Sequence, residues 1–222
     1  MEYRLTTANE NPFPAAVIDS LAAYYHLTNT LGFKPEDVVF TGGSAGGNIV
    51  LALTRYLVQA RHDPGAFDIV PRAPFAIVIT SPWVDLGTSH TDAPSSHGNL
   101  STDILVAEDT GLLLHARKVY TGPHKFPEGA NTNPYLSPAS IHASMGRVSF
   151  KGFPRAFISW SMAEIFADQI NTLKKKMVED MGETSVGYFA AEDAPHEYTT
   201  LPSWKNHSDP AYHAIVAWLK RV

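Results

Sequence analysis

Four short runs are apolar along most of their length: VVFTG (38–42), FAIVITSPW (75–83), RAFISW (155–160) and VGYFAAE (186–192). Runs of this kind, without polar alternation, are expected of parallel strands covered on both faces. Between and around them the apolar positions recur every three or four residues, as on a helix. Val17, Ile18, Leu21, Tyr24 and Tyr25 form such a stripe before the first run, and Ile49, Leu53, Tyr56, Leu57 and Ala60 after it. Ile165, Ile170, Leu173 and Met177 follow the third run. After the fourth, Asp209-Pro210 reads as a helix start, with Ile215, Trp218, Leu219 and Val222 as its buried stripe.

Strand alternating with helix predicts an α/β fold, a mostly parallel sheet with helices on both faces, as a single domain over 1–222. Roughly 70 residues separate the second and third runs, more than a simple crossover needs. That segment, 84–150, is expected to make a long excursion over the carboxyl edge of the sheet, where open α/β sheets bind ligands. It should hold one helix from about Asp103 to Tyr120 and a Pro/Gly/Asn-rich stretch, GPHKFPEGANTNPYLSP.

The first strand pattern runs directly into Gly42-Gly43-Ser44-Ala45-Gly46, which fits G-x-S-x-G, with an apolar helix pattern behind it. A strand that turns into a helix within two residues leaves its central serine at the apex in a strained conformation. Glycine is expected at both 42 and 46, where side chains would clash across the turn. The small Ala45 and Gly47 should let the helix pack close. The first helical N–H groups have no acceptor inside the helix, so the Ala45 N–H is a candidate oxyanion donor. A glycine-rich turn can also bind phosphate. Here no G-K-[ST] follows, and the glycines at 42, 43, 46 and 47 are out of phase with a dinucleotide fingerprint.

A serine hydroxyl needs a general base. Among 10 histidines, His196 stands in AEDAPHEY, past the last strand and before the last helix, at the same sheet edge as the serine. His62, His115 and His213 fall on helix patterns, and His207 in a loop further from a strand end. The third member orients the imidazole and should follow a strand between serine and histidine. RAFISW is followed by SMAEIFADQI. Glu164 is the first choice, Asp168 the local alternative one turn later on the same helix face, and Asp85 in SPWVDL a more distant one.

Net charge is −5, from 17 basic and 22 acidic residues, which disfavours a nucleic-acid partner. The absence of cysteine excludes disulfides and thiolate chemistry. No histidine pair has H-E-x-x-H spacing, so neither a metal nor a cofactor is expected. No apolar run of 18 residues occurs, so no membrane span is expected.

Together these motifs resemble the hormone-sensitive-lipase-like branch of the α/β hydrolases, an esterase/lipase family. YRLTTANENPFPAA is similar to the family's Y-R-L-A-P-E-x-P-F-P-A segment, GGSAGGN to its G-D-S-A-G-G-N elbow with Gly43 in place of aspartate, and DAPHEY to its histidine loop. SPWVDL and NPYLSP also resemble family segments. MAEIFADQ is similar to D-P-L-R-D-E, which aligns Glu164 with the catalytic aspartate and Asp168 with the second acid. The resemblance implies a serine hydrolase acting on carboxylic or lipid esters through Ser44, Glu164 and His196. The family also carries an upstream H-G-G-G oxyanion loop that is not in this sequence. The expectation is therefore a chain that begins inside the fold, with an open strand edge available for self-association and weak activity when alone. The alternatives are an inactive hydrolase-fold binding module and a fragment that depends on a partner.

Overall fold

A computed structural model describes residues 1–8, 10–61 and 71–221. Of the positions discussed above, His62 and Val222 lie outside the described residues. The four apolar runs form four parallel strands: β1 (Val39–Gly43), β2 (Ala76–Thr80), β3 (Arg155–Ser161) and β4 (Val186–Ala191). Their spatial order is β1-β2-β3-β4, the order along the chain. Every crossover therefore advances in one direction. Right-handed crossovers of that kind must pass on one face of the sheet.

The packing follows from this. Helices α1 (Ala15–Tyr25), α2 (Ala45–Ala60) and α6 (Ala167–Met181) cover one face. Their apolar stripes meet Ile77, Ile79, Ala156, Ile158 and Trp160 in the main core. The other face carries α7 (Lys205–Leu219), whose Ile215 and Trp218 pack on Ala76, Val78 and Phe157. Alternate residues of β2 thus enter opposite cores, which is why Ala76 to Ile79 reads as unbroken apolar sequence. β1 differs. Its residues alternate between exposed and half-buried, and among the described residues β2 is its one neighbour.

The segment between β2 and β3 holds α3 (Pro94–Gly98), α4 (Gly111–Thr121) and α5 (Glu128–Thr132). It is tied to α2 by Asn48, whose Nδ2 donates to Trp83 O and Leu136 O, both at 2.9 Å. Arg55 on the same helix donates to Ser149 O at 2.9 Å. Among the described residues no helix is long and apolar enough to cross a membrane.

Two helix starts differ from the sequence expectation. The helix expected from Asp103 begins only at Gly111, after Thr110 in extended conformation. The Asp103 carboxylate is engaged elsewhere, with backbone N–H groups distant in sequence (Ile165 to Oδ2 at 2.7 Å and His196 to Oδ1 at 2.9 Å). The last helix begins before Asp209-Pro210, at Lys205, and has Pro210 inside it. Pro210 cannot donate to the Asn206 carbonyl. Both residues are exposed, so that carbonyl lies on the solvent face.

Candidate active site

β1 ends at Gly43, and α2 begins at Ala45. Ser44 between them has φ 48° and ψ −117°. A non-glycine residue held at positive φ stores on the order of 1–3 kcal/mol, so the neighbours must impose it. They do so from β2 and the segment after it: the Ser44 N–H donates to Thr80 O, and the Ser44 carbonyl accepts from Trp83 N, both at 3.0 Å. A Cβ on Gly42 would stand 2.4 Å from Gly46 O, and one on Gly47 would stand 2.7 Å from Pro82 Cβ. Glycine at 42 and the close packing at 47 are thus explained. Gly46 is not crowded in this way, since nothing lies within 4 Å of a Cβ built there. The constraint at 46 is on its carbonyl, which crosses the turn toward Gly42.

The loop after β4 brings His196 to this turn. Its backbone is held by His196 N–H to Asp103 Oδ1 at 2.9 Å and Ala194 N–H to Ser161 Oγ at 3.1 Å. His196 Nε2 lies 2.8 Å from Ser44 Oγ, and His196 Nδ1 lies 3.1 Å from Glu164 Oε2. The imidazole and the carboxylate are both buried. With Nδ1 donating to Glu164, Nε2 is left to accept the Ser44 hydroxyl proton. Phe166 sets its ring against the imidazole edge-on at 5.1 Å and stacks on Trp83 at 5.4 Å.

Glu164 sits in the turn after β3, not on a helix, because α6 starts three residues later at Ala167. It therefore does not share a helix face with Asp168. The turn is fastened from the β2–β3 segment. Asn99 Nδ2 donates to the Met162 and Glu164 carbonyls at 2.8 and 2.9 Å, and Thr102 Oγ1 donates to Ala163 O at 2.8 Å. Asp103 is the hub, since its two oxygens accept the backbone N–H groups of Ile165 and His196 and so fix the acid turn and the histidine loop together. Sequence reading missed Asp103, Asn99 and Thr102. They match no local motif, and their partners lie 61 to 93 residues away.

The two alternative acids lie elsewhere. Asp168 Oδ2 accepts the Ser95 N–H at 2.8 Å, joining α6 to α3. Asp85 accepts from His90 Nδ1 at 2.7 Å and Ser89 Oγ at 2.6 Å. Burial opposes charge on Asp85, but His90, Ser89 and the Gly87 N–H hold its carboxyl below the ordinary range. Of the other histidines, His115 is on α4 and His213 on α7. His207 is also on α7 and not in a loop, with its ring against Trp204.

Burial disfavours a charged imidazole at 196, yet Glu164, with Glu197 and Asp103 behind it, holds the group above its ordinary range. Burial presses the Glu164 carboxyl upward, and the hydrogen bond to His196 opposes that. Behind Trp83, Glu108 accepts from Trp83 Nε1 at 3.3 Å and Gln169 Nε2 at 3.0 Å. Burial pushes its carboxyl up to about 8, with Arg117 opposing and Asp85 reinforcing. A carboxyl that titrates near 4.5 in the unfolded chain and near 8 in the folded one leaves the folded state holding the extra proton between those values. Stability is then lost as pH rises through that window. Glu108→Gln should flatten the decline of melting temperature with pH over that range, as thermal unfolding at a series of pH values would read.

Beside the elbow lies an apolar cavity of about 330 Å³, with Ala45, Asn48, Ile49, Trp83, Leu86 and Tyr120 in its wall.

A half-buried serine hydrogen-bonded to a buried imidazole and carboxylate, at a strand-to-helix turn of a parallel sheet, is an arrangement found in serine hydrolases of α/β type. The chain belongs to the alpha/beta hydrolase fold family, whose family model matches residues 1–200. It is similar to an acetyl-hydrolase of Streptomyces hygroscopicus, 42% identical over 85 residues, which are 37% of this chain and 25% of the relative. It is also similar to the esterase LipU of Mycobacterium tuberculosis, 33% identical over 141 residues, or 64% and 40% of the two chains. A crystal structure of a hormone-sensitive lipase from a metagenome library superposes with TM-score 0.74 at 28% identity, covering 99% of this chain and 65% of the other. The chain is thus a hormone-sensitive-lipase-like α/β hydrolase. It spans from about a quarter to about half of the length of the curated relatives it matches.

Proposed function

We propose that this chain carries the nucleophile, base and acid of a serine hydrolase that cleaves carboxylic esters of short to medium acyl length or of lipids. The observation that supports it most is the unbroken hydrogen-bond path from Glu164 through His196 to Ser44. In this reading Ser44 Oγ attacks the ester carbonyl carbon while its proton passes to His196 Nε2. Glu164 keeps Nδ1 protonated and stabilises the imidazolium that forms. The oxyanion of the tetrahedral intermediate is met by the Ala45 N–H, which has no acceptor within its own helix. Collapse expels the alcohol, which takes the proton from His196. Water then attacks the acyl-serine by the same route, and the acid leaves. The apolar cavity that starts at Ala45 suits an acyl chain or an apolar alcohol.

The test is hydrolysis of p-nitrophenyl acetate and butyrate by the wild-type chain beside its Ser44→Ala variant. Turnover in the first and none in the second is expected; equal release by both would reject the assignment. His196 must be neutral to act as base, and its carboxylate neighbours hold its pKa above 6.5. The acid limb of kcat/KM is accordingly expected above pH 6.5, with activity lost as pH falls through it.

The outer edge of β1 favours a second reading. Among the described residues that strand pairs on one side only, and Val39 is 38% exposed. An uncovered strand edge invites another strand. In this reading the edge is covered by another polypeptide, a second copy included, and turnover depends on that cover. Sedimentation over a concentration series, with activity followed alongside, tests it. A monomer that turns over fully at every concentration would remove it.

A further inference from the structure

Gly43 has no side chain, yet the space above it is filled. A Cβ on Gly43 would stand 2.1 Å from Glu197 Oε2 and 2.6 Å from Oε1. Glu197 reaches this place by a constrained route. Its backbone is left-handed, φ 56° and ψ 27°, which L side chains seldom adopt. Its N–H donates to Ser81 Oγ at 3.1 Å. Ser81 is itself left-handed at φ 39°, as Ser44 is at φ 48°. Three strained residues from three connections therefore meet at one point. There Glu197 Oε1 accepts the Thr80 hydroxyl at 3.1 Å. A solvated loop acid would require neither the backbone strain nor the close approach.

We propose that Glu197 is a positioning residue of the reaction centre: its carboxylate fills the side-chain space of Gly43 and braces the serine turn from the histidine loop. The proposal rests on reading Ser44 and His196 as nucleophile and base. A side chain at 43 and the Glu197 carboxylate in its present place cannot coexist, so one of them must move.

The groups around the imidazole define what removing that charge should do. Glu164 faces Nδ1 from the β3–α6 turn, and Asp103 holds the backbone N–H from the β2–β3 segment. Ser44 faces Nε2, Glu197 follows in sequence, and the Tyr198 hydroxyl is paired with Ser159 at 2.8 Å. From α7, Tyr212 gives its hydroxyl to Thr199 O at 2.7 Å. Glu197 is half-buried, whereas Glu164 is fully buried and bonded to Nδ1, so its share is smaller than that of Glu164.

Two readouts that need no turnover test the proposal. In the first, the His196 ring protons are titrated by NMR in the wild-type chain and in Glu197→Gln, which keeps the size and the acceptor but loses the charge. The imidazole pKa should fall by on the order of half a unit to one unit. In the second, Gly43→Asp is made alone and in a Glu197→Ala background, and thermal unfolding is followed. Alone it should lower the melting temperature, because the new carboxylate must displace that of Glu197 from its bond to Thr80 and faces it as a like charge. In the alanine background most of that loss should be recovered. An unmoved imidazole titration, or equal damage by Gly43→Asp in both backgrounds, would overturn the proposal. A wild-type chain that reacts with no serine-directed probe would instead reject the hydrolase reading, and both readouts would remain interpretable.

Discussion

Replacing Ser44 by alanine should reduce ester hydrolysis on the order of 10⁵- to 10⁶-fold while leaving the fold in place. The size of the effect follows from the role proposed for Oγ, the atom that forms the bond to the acyl carbon. Removing it leaves only binding and the oxyanion donor, which lower the barrier much less. The fold should survive because the contacts that bend the turn are backbone ones, Ser44 N–H to Thr80 O and Ser44 O from Trp83 N. Oγ hydrogen-bonds His196 Nε2, which can be wetted or left facing the new methyl group. Initial rates on p-nitrophenyl butyrate, measured beside melting temperatures, would separate the two effects. A variant that loses stability and rate together would point to a structural serine.

The second large effect is expected at Glu164. Glu164→Gln preserves volume at a fully buried site but replaces an acceptor-only carboxylate with an amide. The amide can present its N–H₂ to Nδ1, which turns the imidazole to the tautomer that cannot accept the Ser44 proton. A loss in kcat of about 10⁴-fold is expected, with a much smaller change in KM. The sign of the accompanying pH effect is also determined. Burial disfavours the imidazolium, and Glu164 contributes the first of the interactions that raise its pKa. Without that charge the imidazole pKa falls, so the residual activity of Glu164→Gln should persist to lower pH than that of the wild type. A shift of the acid limb to higher pH would contradict the pairing. The same exchange at Asp168 should change kcat little, because its carboxylate is bound to Ser95 and not to His196.

The parts of the site legible in the sequence are those written locally. The nucleophile turn needs strand, small residues and helix in immediate succession, and all three occupy one continuous stretch. His196 is marked by its place between a strand pattern and a helix pattern. Glu164 is marked in the same way, but the reading of a shared helix face with Asp168 fails. The turn after β3 is held open by Asn99, Thr102 and Asp103, and delays the helix to Ala167. Those three residues were illegible for the same reason, since side chain-to-backbone bonds across 61 to 93 residues leave no periodic trace. Asp103 stands at the start of the helix expected from the sequence, while its carboxylate serves the acid turn and the histidine loop. Glu197 carries no sequence signal beyond its place next to the histidine. Its contact with Gly43 depends on two left-handed residues, Ser81 and Glu197 itself, that no pattern in the chain announces.

The strands read well because both faces of β2 and β3 are covered, which leaves a continuous apolar run. β1 was read as equally buried and is not. Its exposed positions, Val39 among them, belong to the strand with one hydrogen-bonded neighbour among the described residues. An apolar run shows that a strand is built for covered faces, but not how many neighbours it has.

The most direct test of the account is the site of covalent capture. The chain is incubated with a fluorophosphonate, digested, and the adduct located by tandem mass spectrometry, with Ser44→Ala and His196→Ala treated in parallel. A single adduct on Ser44, slowed by several orders of magnitude without His196 and absent in Ser44→Ala, is the predicted result. No adduct on the wild-type chain, or an adduct on another residue that forms equally fast in all three, would contradict it.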